Sequence, residues 1–217
     1  MEETHTGKLI IVRHQESEWN KLGLWTGVHD TSLTPYGFKE SEAAGKCIRD
    51  VSFNYAFASM YVRTIETLAS ILNVCLTDAE KKKVHIEHRA ELNERDYGDY
   101  TGKNKWDMEK LLGEEAFVEL RRAWDYPVPN GETLKMVYER VVPFYTATIV
   151  PLLQAGNNVL IVSHGNTIRA LTKYIERISD TEIANVEMLF GQVVIYTTDT
   201  DGHMLTKQIR IIEGVKE

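Results

Sequence analysis

The 217-residue sequence lacks several features that assign a protein to a class at once. It has only two cysteines, Cys47 and Cys75, without the C-x-x-C spacing of metal and redox sites, so we expect reduced, packed thiols. It contains no apolar run long enough to span a membrane. Residues 1–8, MEETHTGK, lack the apolar stretch of a signal peptide. These absences predict a cytoplasmic protein with no membrane partner.

Positive charge is also scarce. The sequence has 25 Lys and Arg against 32 Asp and Glu, which gives a formal net charge of -7. An acidic chain has no excess of cations with which to bind the phosphates of a nucleic acid or an anionic membrane. We therefore expect no nucleic-acid partner, although a local cationic pocket is compatible with this charge.

Three common catalytic motifs are missing as well. The sequence has neither a G-x-G-x-x-G nor a Walker A motif, which bind dinucleotides and nucleoside triphosphates, and no G-x-S-x-G nucleophile turn. Five histidines show no metal-ligand spacing: His5, His29, His85, His88 and His203. Because a zinc site usually takes three or four protein ligands, we expect no metal.

What the sequence does have is an alternation of short apolar runs with amphipathic segments. Residues 8–14, KLIIVRH, and 159–162, VLIV, are typical of buried parallel strands, and helices follow them. Thr34 and Pro35 are typical of the cap and the first position of a helix. GQVVIYTTD and HMLTKQIRII predict a final strand pair. With no linker or repeat, residues 1–217 are expected to form one α/β domain, a mostly parallel sheet with helices on both faces.

Polar residues follow two of the predicted strands directly. Arg13 and His14 end the first one, and His164, Gly165 and Asn166 follow the later one. Because ligands bind beyond the carboxyl ends of parallel strands, both groups are expected at one edge of the sheet. The two histidines are therefore expected to meet.

These residue types favour phosphoryl chemistry. Arginine presents a fixed fork of donors that matches phosphate oxygens, and Arg63 is expected early in a helix, close to Arg13. A neutral imidazole beside two such arginines can attack phosphorus. A carboxylic acid such as Glu94 can protonate the leaving alkoxide. A salt bridge with a packed histidine, and Glu94 on a solvated loop, are the structural alternatives.

Longer motifs strengthen this interpretation. They are LIIVRHQESEWN, LWTGVHDTSLTPYG, ELNERDYGDYTGKNK, RRAW, NGETL and LIVSHGNTIRAL, and they follow one another over nearly the whole chain. Together they resemble the cofactor-dependent phosphoglycerate mutases of the histidine phosphatase superfamily. The resemblance implies a phosphoglycerate-mutase-like fold.

The resemblance also implies a role for each matching residue. His14 is implied as the nucleophile that carries the phosphoryl group, Glu94 as the general acid and base, and His164 as a stabiliser of the transferring group. Arg13 and Arg63 are implied catalytic phosphate ligands. The implied substrate-binding residues are Ser17, Asn20, Thr26, Gly27, Tyr97, Lys105, Arg121, Arg122, Gly165 and Asn166.

The implied activity is the interconversion of 3-phosphoglycerate and 2-phosphoglycerate in glycolysis and gluconeogenesis. The implied cofactor is 2,3-bisphosphoglycerate, needed as a primer, with no metal. The partner would be a small phosphorylated substrate, and a homo-oligomer stays open.

Together with Lys105, the adjacent Arg121 and Arg122 oppose a simple phosphatase, since the implied binding residues suit a doubly anionic sugar acid. Adjacent residues point about 100° apart on a helix, so both reach one ligand only near a helix end. Otherwise they would be surface partners of helix glutamates.

Two departures from the family pattern keep alternatives open. Gln15 stands where the superfamily usually has glycine, whose backbone freedom glutamine lacks. The stretch from Arg122 to His164 is also shorter than in many mutases. A shorter loop over the site admits water. A phosphatase acting on small phosphomonoesters is the first alternative, and a relative that binds phospho-ligands without turnover is the second.

Overall fold

A computed structural model describes residues 7–188 and 190–214. The strands are β1 (Lys8–Arg13), β2 (Tyr55–Ala58), β3 (His85–His88), β4 (Val159–Ser163), β5 (Gln192–Thr198) and β6 (Met204–Ile211). The α-helices are α1 (Glu18–Lys21), α2 (Pro35–Cys47), α3 (Val62–Cys75), α4 (Asp78–Lys81), α5 (Lys105–Leu112), α6 (Glu114–Arg122), α7 (Leu134–Phe144), α8 (Val150–Gln154) and α9 (Gly165–Ile175). Short 3₁₀ turns span Ala90–Leu92, Gly98–Tyr100 and Glu182–Asn185, and a π-helical turn, Tyr145–Ile149, lies between α7 and α8.

The strands form one sheet in the order β3-β2-β4-β1-β5-β6. The first four pair in parallel, β5 is antiparallel to β1, and β6 is antiparallel to β5. The predicted mostly parallel α/β sheet and the final strand pair are therefore confirmed. The edge strand β3 was not predicted, since its HIEH sequence is polar and largely exposed.

Two apolar layers cover the two faces of the central strands. In β1, Leu9 and Ile11 pack on one face, against α7 and α9, while Ile10 and Val12 pack on the other, against α2 and α3. All four side chains are fully buried. Burial on both faces explains why β1 and β4 are continuous apolar runs instead of alternating ones.

Helix starts next to the sheet set the directions of several site residues. Thr34 caps α2 by accepting a hydrogen bond from the Gly37 amide at 3.0 Å, with Pro35 at the first position, as predicted. Helix α9 begins at Gly165, directly after β4, with His164 as its N-cap residue. Helix α3 begins at Val62, which places Arg63 in its first turn.

A third, smaller apolar cluster packs beneath α5 and α6, near the carboxyl ends of the strands. It contains Trp25, Met108, Phe117, Leu120 and Val128, and so joins α5 and α6 to the loop after α1. The end of α6 is thereby fixed above the sheet edge. The expectation that residues 1–217 form one domain stays a prediction.

Two expectations from the sequence concern features away from the sheet. Among the described residues, no helix is both long and apolar enough to cross a membrane. Cys47 and Cys75 are free and partly buried. Residues 1–6, most of the stretch expected to carry no signal peptide, lie outside the described part of the chain.

Candidate active site

The two histidines meet at the carboxyl ends of β1 and β4. Arg13 is in register with Ser163, and the His14 amide donates to the Ser163 carbonyl at 2.9 Å. The ring centroids of His14 and His164 are 5.0 Å apart. Both rings are buried. The parallel pairing of β1 and β4 thus brings the two polar strand ends together, as the strand-end rule predicts.

The contacts of His14 leave one ring nitrogen available for chemistry. Its Nδ1 lies 2.8 Å from the Gln15 carbonyl oxygen, which can only accept, so Nδ1 carries the proton. In the neutral ring, Nε2 then has a free lone pair. Burial, with Arg63 and Arg13 next, holds the pKa of His14 well below its ordinary value of 6.5. His14 is therefore neutral near pH 7, the form that can act as a nucleophile.

His164 is held by the protein on both ring nitrogens. Its Nε2 lies 2.8 Å from the Ser59 hydroxyl, and its Nδ1 accepts from the Arg63 Nε at 3.3 Å. Burial, Arg63 and His14, in that order, lower the pKa of His164 well below its ordinary value. His164 therefore orients Arg63, and its implied contact with the phosphoryl group stays a prediction.

Two arginines flank the histidines. Arg63 is fully buried and donates to the carbonyls of His29 and Gly27 at 2.9 and 3.0 Å. Arg13 donates to the Met188 carbonyl at 2.9 Å, and its guanidinium lies 3.7 Å from the centroid of the Phe190 ring. Both arginines are thus fixed by protein contacts before any ligand binds. We call Arg13, His14, Arg63 and His164 the inner end.

Glu94 and Tyr97 lie beside the start of α9. A carboxylate oxygen of Glu94 accepts from the amides of Arg95 and Asn166 at 2.8 and 3.3 Å. The Tyr97 hydroxyl accepts from the Asn166 side chain at 2.9 Å. Glu94, which is predicted as the acid, and Tyr97, which is predicted to bind substrate, are thereby linked to the N-terminus of α9 by hydrogen bonds.

The loop after α1 forms another wall of the site. Gly27 has a φ of +49°, and a Cβ there would lie 2.9 Å from the Thr101 hydroxyl, so both conformation and space favour glycine. Ser17 caps α1: its hydroxyl accepts from the Asn20 amide and donates to the Asn20 side chain. The contacts of Ser17 are thus used within the α1 cap.

Cations from two helix ends complete the site. Lys105 is the first residue of α5, and Arg121 and Arg122 are the last two of α6, which is the position that two adjacent arginines need to face one ligand. A nitrogen of Arg122 donates to the carboxylate of Glu187. We call Lys105, Arg121, Arg122 and Glu187 the outer end.

The predicted residues enclose one cavity of about 130 Å³. It has room for several water molecules or for a small ligand. All the predicted site residues line this cavity except Ser17 and His164. Most of the predicted site residues therefore lie together in one cavity wall. Their catalytic and substrate-binding roles, including the substrate contact expected of Ser17, stay predictions.

The charged side chains of the cavity suit an anion better than a cation. Arginine and lysine donate hydrogen bonds but offer no lone pair to a metal ion. In the described part of the chain, a three-residue group that could hold a metal is Asp199, Asp201 and His203, at the turn between β5 and β6. These residues are outside the cavity lining.

Comparisons with known proteins establish the family of this chain. The family description "Histidine phosphatase superfamily (branch 1)" matches residues 9–209. The chain belongs to the histidine phosphatase superfamily. It is 43% identical over 188 residues to a 2,3-bisphosphoglycerate-dependent phosphoglycerate mutase of Cytophaga hutchinsonii, covering 87% of this chain and 86% of that one. It is 39% identical to a phosphoglycerate mutase of Schizosaccharomyces pombe, covering 93% and 94%.

Solved structures of the histidine phosphatase superfamily fold are similar as well. Bacillus stearothermophilus YhfR superposes with a TM-score of 0.78 at 23% identity, covering 97% of this chain and 98% of that one. At this identity the likeness concerns the fold alone. The resemblance to cofactor-dependent phosphoglycerate mutases is confirmed by the Cytophaga hutchinsonii relative, and the Schizosaccharomyces pombe relative confirms the likeness to phosphoglycerate mutases.

Gln15 departs from the superfamily pattern without distorting the backbone. Its φ is not among the positive values in the described residues. Its side chain is buried, donates to the Arg13 carbonyl at 2.8 Å and does not line the cavity. Glutamine therefore fits behind the site with its amide nitrogen hydrogen-bonded, while its buried Oε1 has no hydrogen-bond partner among the described residues.

Sequence reasoning missed several residues that line the cavity. They are Leu24, Trp25, Arg169, Glu187 and Met188. Arg169 lies three residues after Asn166, one helical turn on, and that spacing was the signal for it. Glu187 and Met188 follow a 3₁₀ turn and belong to no motif, so the sequence offered no comparable signal.

Arg169 connects separate segments of the cavity wall by hydrogen bonds. It donates to the carbonyls of Arg121, Arg122 and Ile183 at 3.1, 2.8 and 2.9 Å, and to the Asn166 side chain at 3.1 Å. Burial and then Arg122 lower the pKa of Arg169 to about 10, so it keeps its charge at neutral pH. Arg169 thus ties the end of α6 to the start of α9.

Proposed function

We propose that this protein interconverts 3-phosphoglycerate and 2-phosphoglycerate through phosphorylated His14 and bound 2,3-bisphosphoglycerate. One observation carries the proposal: the cavity joins a neutral His14 with a free Nε2 to a second set of cations, Lys105, Arg121 and Arg122. A phosphatase needs the first part only, whereas a substrate with a second anionic group uses both. The reaction named for the related mutases supports the same assignment.

The proposed first half-reaction moves the phosphoryl group from His14 to the substrate. The free hydroxyl of the monophosphate attacks phosphorus, the O–P bond forms, and the bond between phosphorus and Nε2 of His14 breaks. The hydroxyl proton passes to Glu94, which acts as the general base. Arg13 and Arg63 neutralise charge on the transferring group, so no metal is assigned to this step.

The second half-reaction is the reverse transfer from the other position. After the bisphosphate has turned over in the cavity, Nε2 of His14 attacks its other phosphorus and the O–P bond breaks. Glu94 returns its proton to the leaving oxygen. Primer 2,3-bisphosphoglycerate restores the phosphoryl group on His14 when water has removed it. Its three anionic groups suit a cavity with cations on several sides.

The cellular setting follows from the proposed reaction. Phosphoglycerate interconversion belongs to glycolysis and gluconeogenesis, so we propose a cytoplasmic enzyme whose partner is the small phosphorylated substrate. The absence of a nucleic-acid partner and the oligomeric state stay predictions.

A phosphatase is the second candidate, favoured by one observation. Arg121 is exposed and Arg122 only partly buried, so the outer end lies open to solvent. Water that reaches phosphorylated His14 would release inorganic phosphate instead of completing the transfer.

Turnover of 3-phosphoglycerate in a metal chelator, with and without 2,3-bisphosphoglycerate, tests the two candidates. We expect 2-phosphoglycerate to form rapidly, with stimulation by the bisphosphate and little free phosphate. Release of phosphate without isomerisation would assign the chain to the phosphatases. No turnover of either kind would leave a binding protein as the remaining assignment.

A further inference from the structure

Arg122 of the outer end already has an anionic partner. Its guanidinium donates to the carboxylate of Glu187, which follows the 3₁₀ turn Glu182–Asn185 and lines the same cavity. The side chain of Arg122 is 24% exposed and that of Glu187 is 48% exposed. A carboxylate on a phosphate-binding arginine occupies the donors that a ligand needs.

The backbones that carry this pair are fixed. Arg169 holds the carbonyl of Arg122 at 2.8 Å, and Arg13 holds the carbonyl of Met188, the neighbour of Glu187, at 2.9 Å. The Glu187 side chain, in contrast, is half-exposed. Exchange of partners at Arg122 therefore requires rotation of side chains and no movement of the main chain.

Positively charged side chains outnumber carboxylates in the lining of the cavity. Its cations are Arg13, Arg63, Lys105, Arg121, Arg122 and Arg169, and its carboxylates are Glu94 and Glu187. Glu94 accepts from the amides of Arg95 and Asn166. Glu187 is thus the lining carboxylate that pairs directly with a cation of the outer end.

We propose that Glu187 is an internal substitute for the second anionic group of the ligand and sets the affinity for doubly anionic ligands. The proposal rests on the proposed function, in which one phosphoryl group lies at His14 and a second anionic group lies at the outer end. The second group displaces Glu187 from Arg122. A ligand with one anionic group at His14 leaves the pair between Arg122 and Glu187 in place.

The energies of the two contacts favour such an exchange. A partly exposed ion pair between side chains is weak because water screens it. A phosphate accepts two parallel hydrogen bonds from arginine and carries more charge than a carboxylate. Glu187 therefore weakens the binding of a bisphosphate to a limited extent, which assists its turnover and release during the mutase cycle.

Two phosphonates test the proposal. Their C–P bond does not break in the site, so the phosphonate group cannot be transferred to His14. Ethane-1,2-diphosphonate has two anionic groups, and ethylphosphonate has one. In Glu187→Gln we expect the diphosphonate to bind about three- to tenfold tighter than in the wild type, and ethylphosphonate to change by less than about twofold. Titration calorimetry at constant pH and salt gives both Kd values.

Glu115→Gln is the matched control. It removes the same charge from the first turn of α6, away from the cavity lining, so it should leave both Kd values unchanged. Arg122→Gln supplies a second test, because Glu187 acts through Arg122. In an Arg122→Gln background, Glu187→Gln should give less than about half of its effect in the wild type.

The outcomes separate this inference from the proposed function. A wild type that binds the diphosphonate no more tightly than ethylphosphonate would overturn the two-anion cavity and the inference with it. A wild type that prefers the diphosphonate, with the same preference in Glu187→Gln, would overturn the role of Glu187 alone. An equal gain in Glu115→Gln would reduce the effect to net charge and contradict the proposal.

Discussion

The inner and outer ends of the site are built in opposite ways. At the inner end, His14, Arg63 and His164 are at most 3% exposed and follow strands or begin a helix packed on the sheet. At the outer end, Arg121 is exposed and Glu187 half-exposed, and both lie beside helix ends or turns. Burial fixes geometry and pKa, which bond-making needs, while exposure permits exchange of ligand groups.

The largest expected effect is at the inner end. His14→Gln removes the nucleophile but keeps a polar side chain, so kcat for 3-phosphoglycerate should fall by about 10⁴-fold or more with the fold retained. Phosphoglycerate turnover and circular dichroism measure the two properties. His88→Gln, on the exposed edge strand β3, is the control and should keep full activity. Wild-type turnover in His14→Gln would remove the phosphohistidine mechanism.

The inner end was largely predictable because its residues belong to short local patterns. One apolar run ends in Arg13-His14, and another is followed closely by His164. These two patterns are enough to predict that the histidines meet, once β1 and β4 are parallel neighbours. The partners of His164 were not predictable in this way. Ser59 lies 105 positions away along the chain, and its contact depends on packing between elements.

At the outer end we expect an effect on binding instead of chemistry. Arg121→Gln removes one exposed cation near the proposed position of the second anionic group, so KM for 3-phosphoglycerate should rise about tenfold with kcat within about threefold. Steady-state kinetics at fixed salt separates the two constants. Arg49→Gln, an exposed arginine beyond α2, is the control. A tenfold fall in kcat with unchanged KM would place Arg121 in the chemical step. It would contradict the division between an inner end for chemistry and an outer end for binding.

The outer end was harder to predict because its wall comes from separate segments. Lys105, Arg121 and Arg122 were predicted only through the family resemblance, while Glu187 has no motif around it. Ser17 was predicted as a substrate ligand from its place in RHQESEWN, but its S-x-x-N spacing is also that of a helix cap. A residue that lies in a motif can therefore serve local structure.

The pH profile should show a smaller effect, from Lys105. Burial, then Arg13 and Arg121, lower the pKa of Lys105 from 10.5 to about 8. Below pH 8 the ammonium group is charged and attracts the substrate, and above pH 8 the charge is lost. We therefore expect kcat/KM to fall about tenfold between pH 7 and pH 9. Lys105→Arg stays charged over this range and should lack that fall.

A profile of wild-type kcat/KM that stays flat to pH 9 would contradict this role of Lys105. An equal fall in Lys105→Arg would assign the titration to another group. Binding of 3-phosphoglycerate to the His14→Gln variant over the same pH range gives an independent measurement, because that variant makes no transfer step.

The smallest expected effect concerns Gln15, which lies behind the inner end. Gln15→Gly removes the hydrogen bond to the Arg13 carbonyl and leaves space in a buried region. Unfolding free energy should fall by about 1–2 kcal/mol, measured by urea denaturation. Because the side chain does not line the cavity, kcat and the ratio of 2-phosphoglycerate to free phosphate should change by less than about twofold. Gln15→Ala should lose less stability, since it keeps a Cβ. A larger change in the product ratio would show that the residue after His14 governs the access of water to the phosphoryl group.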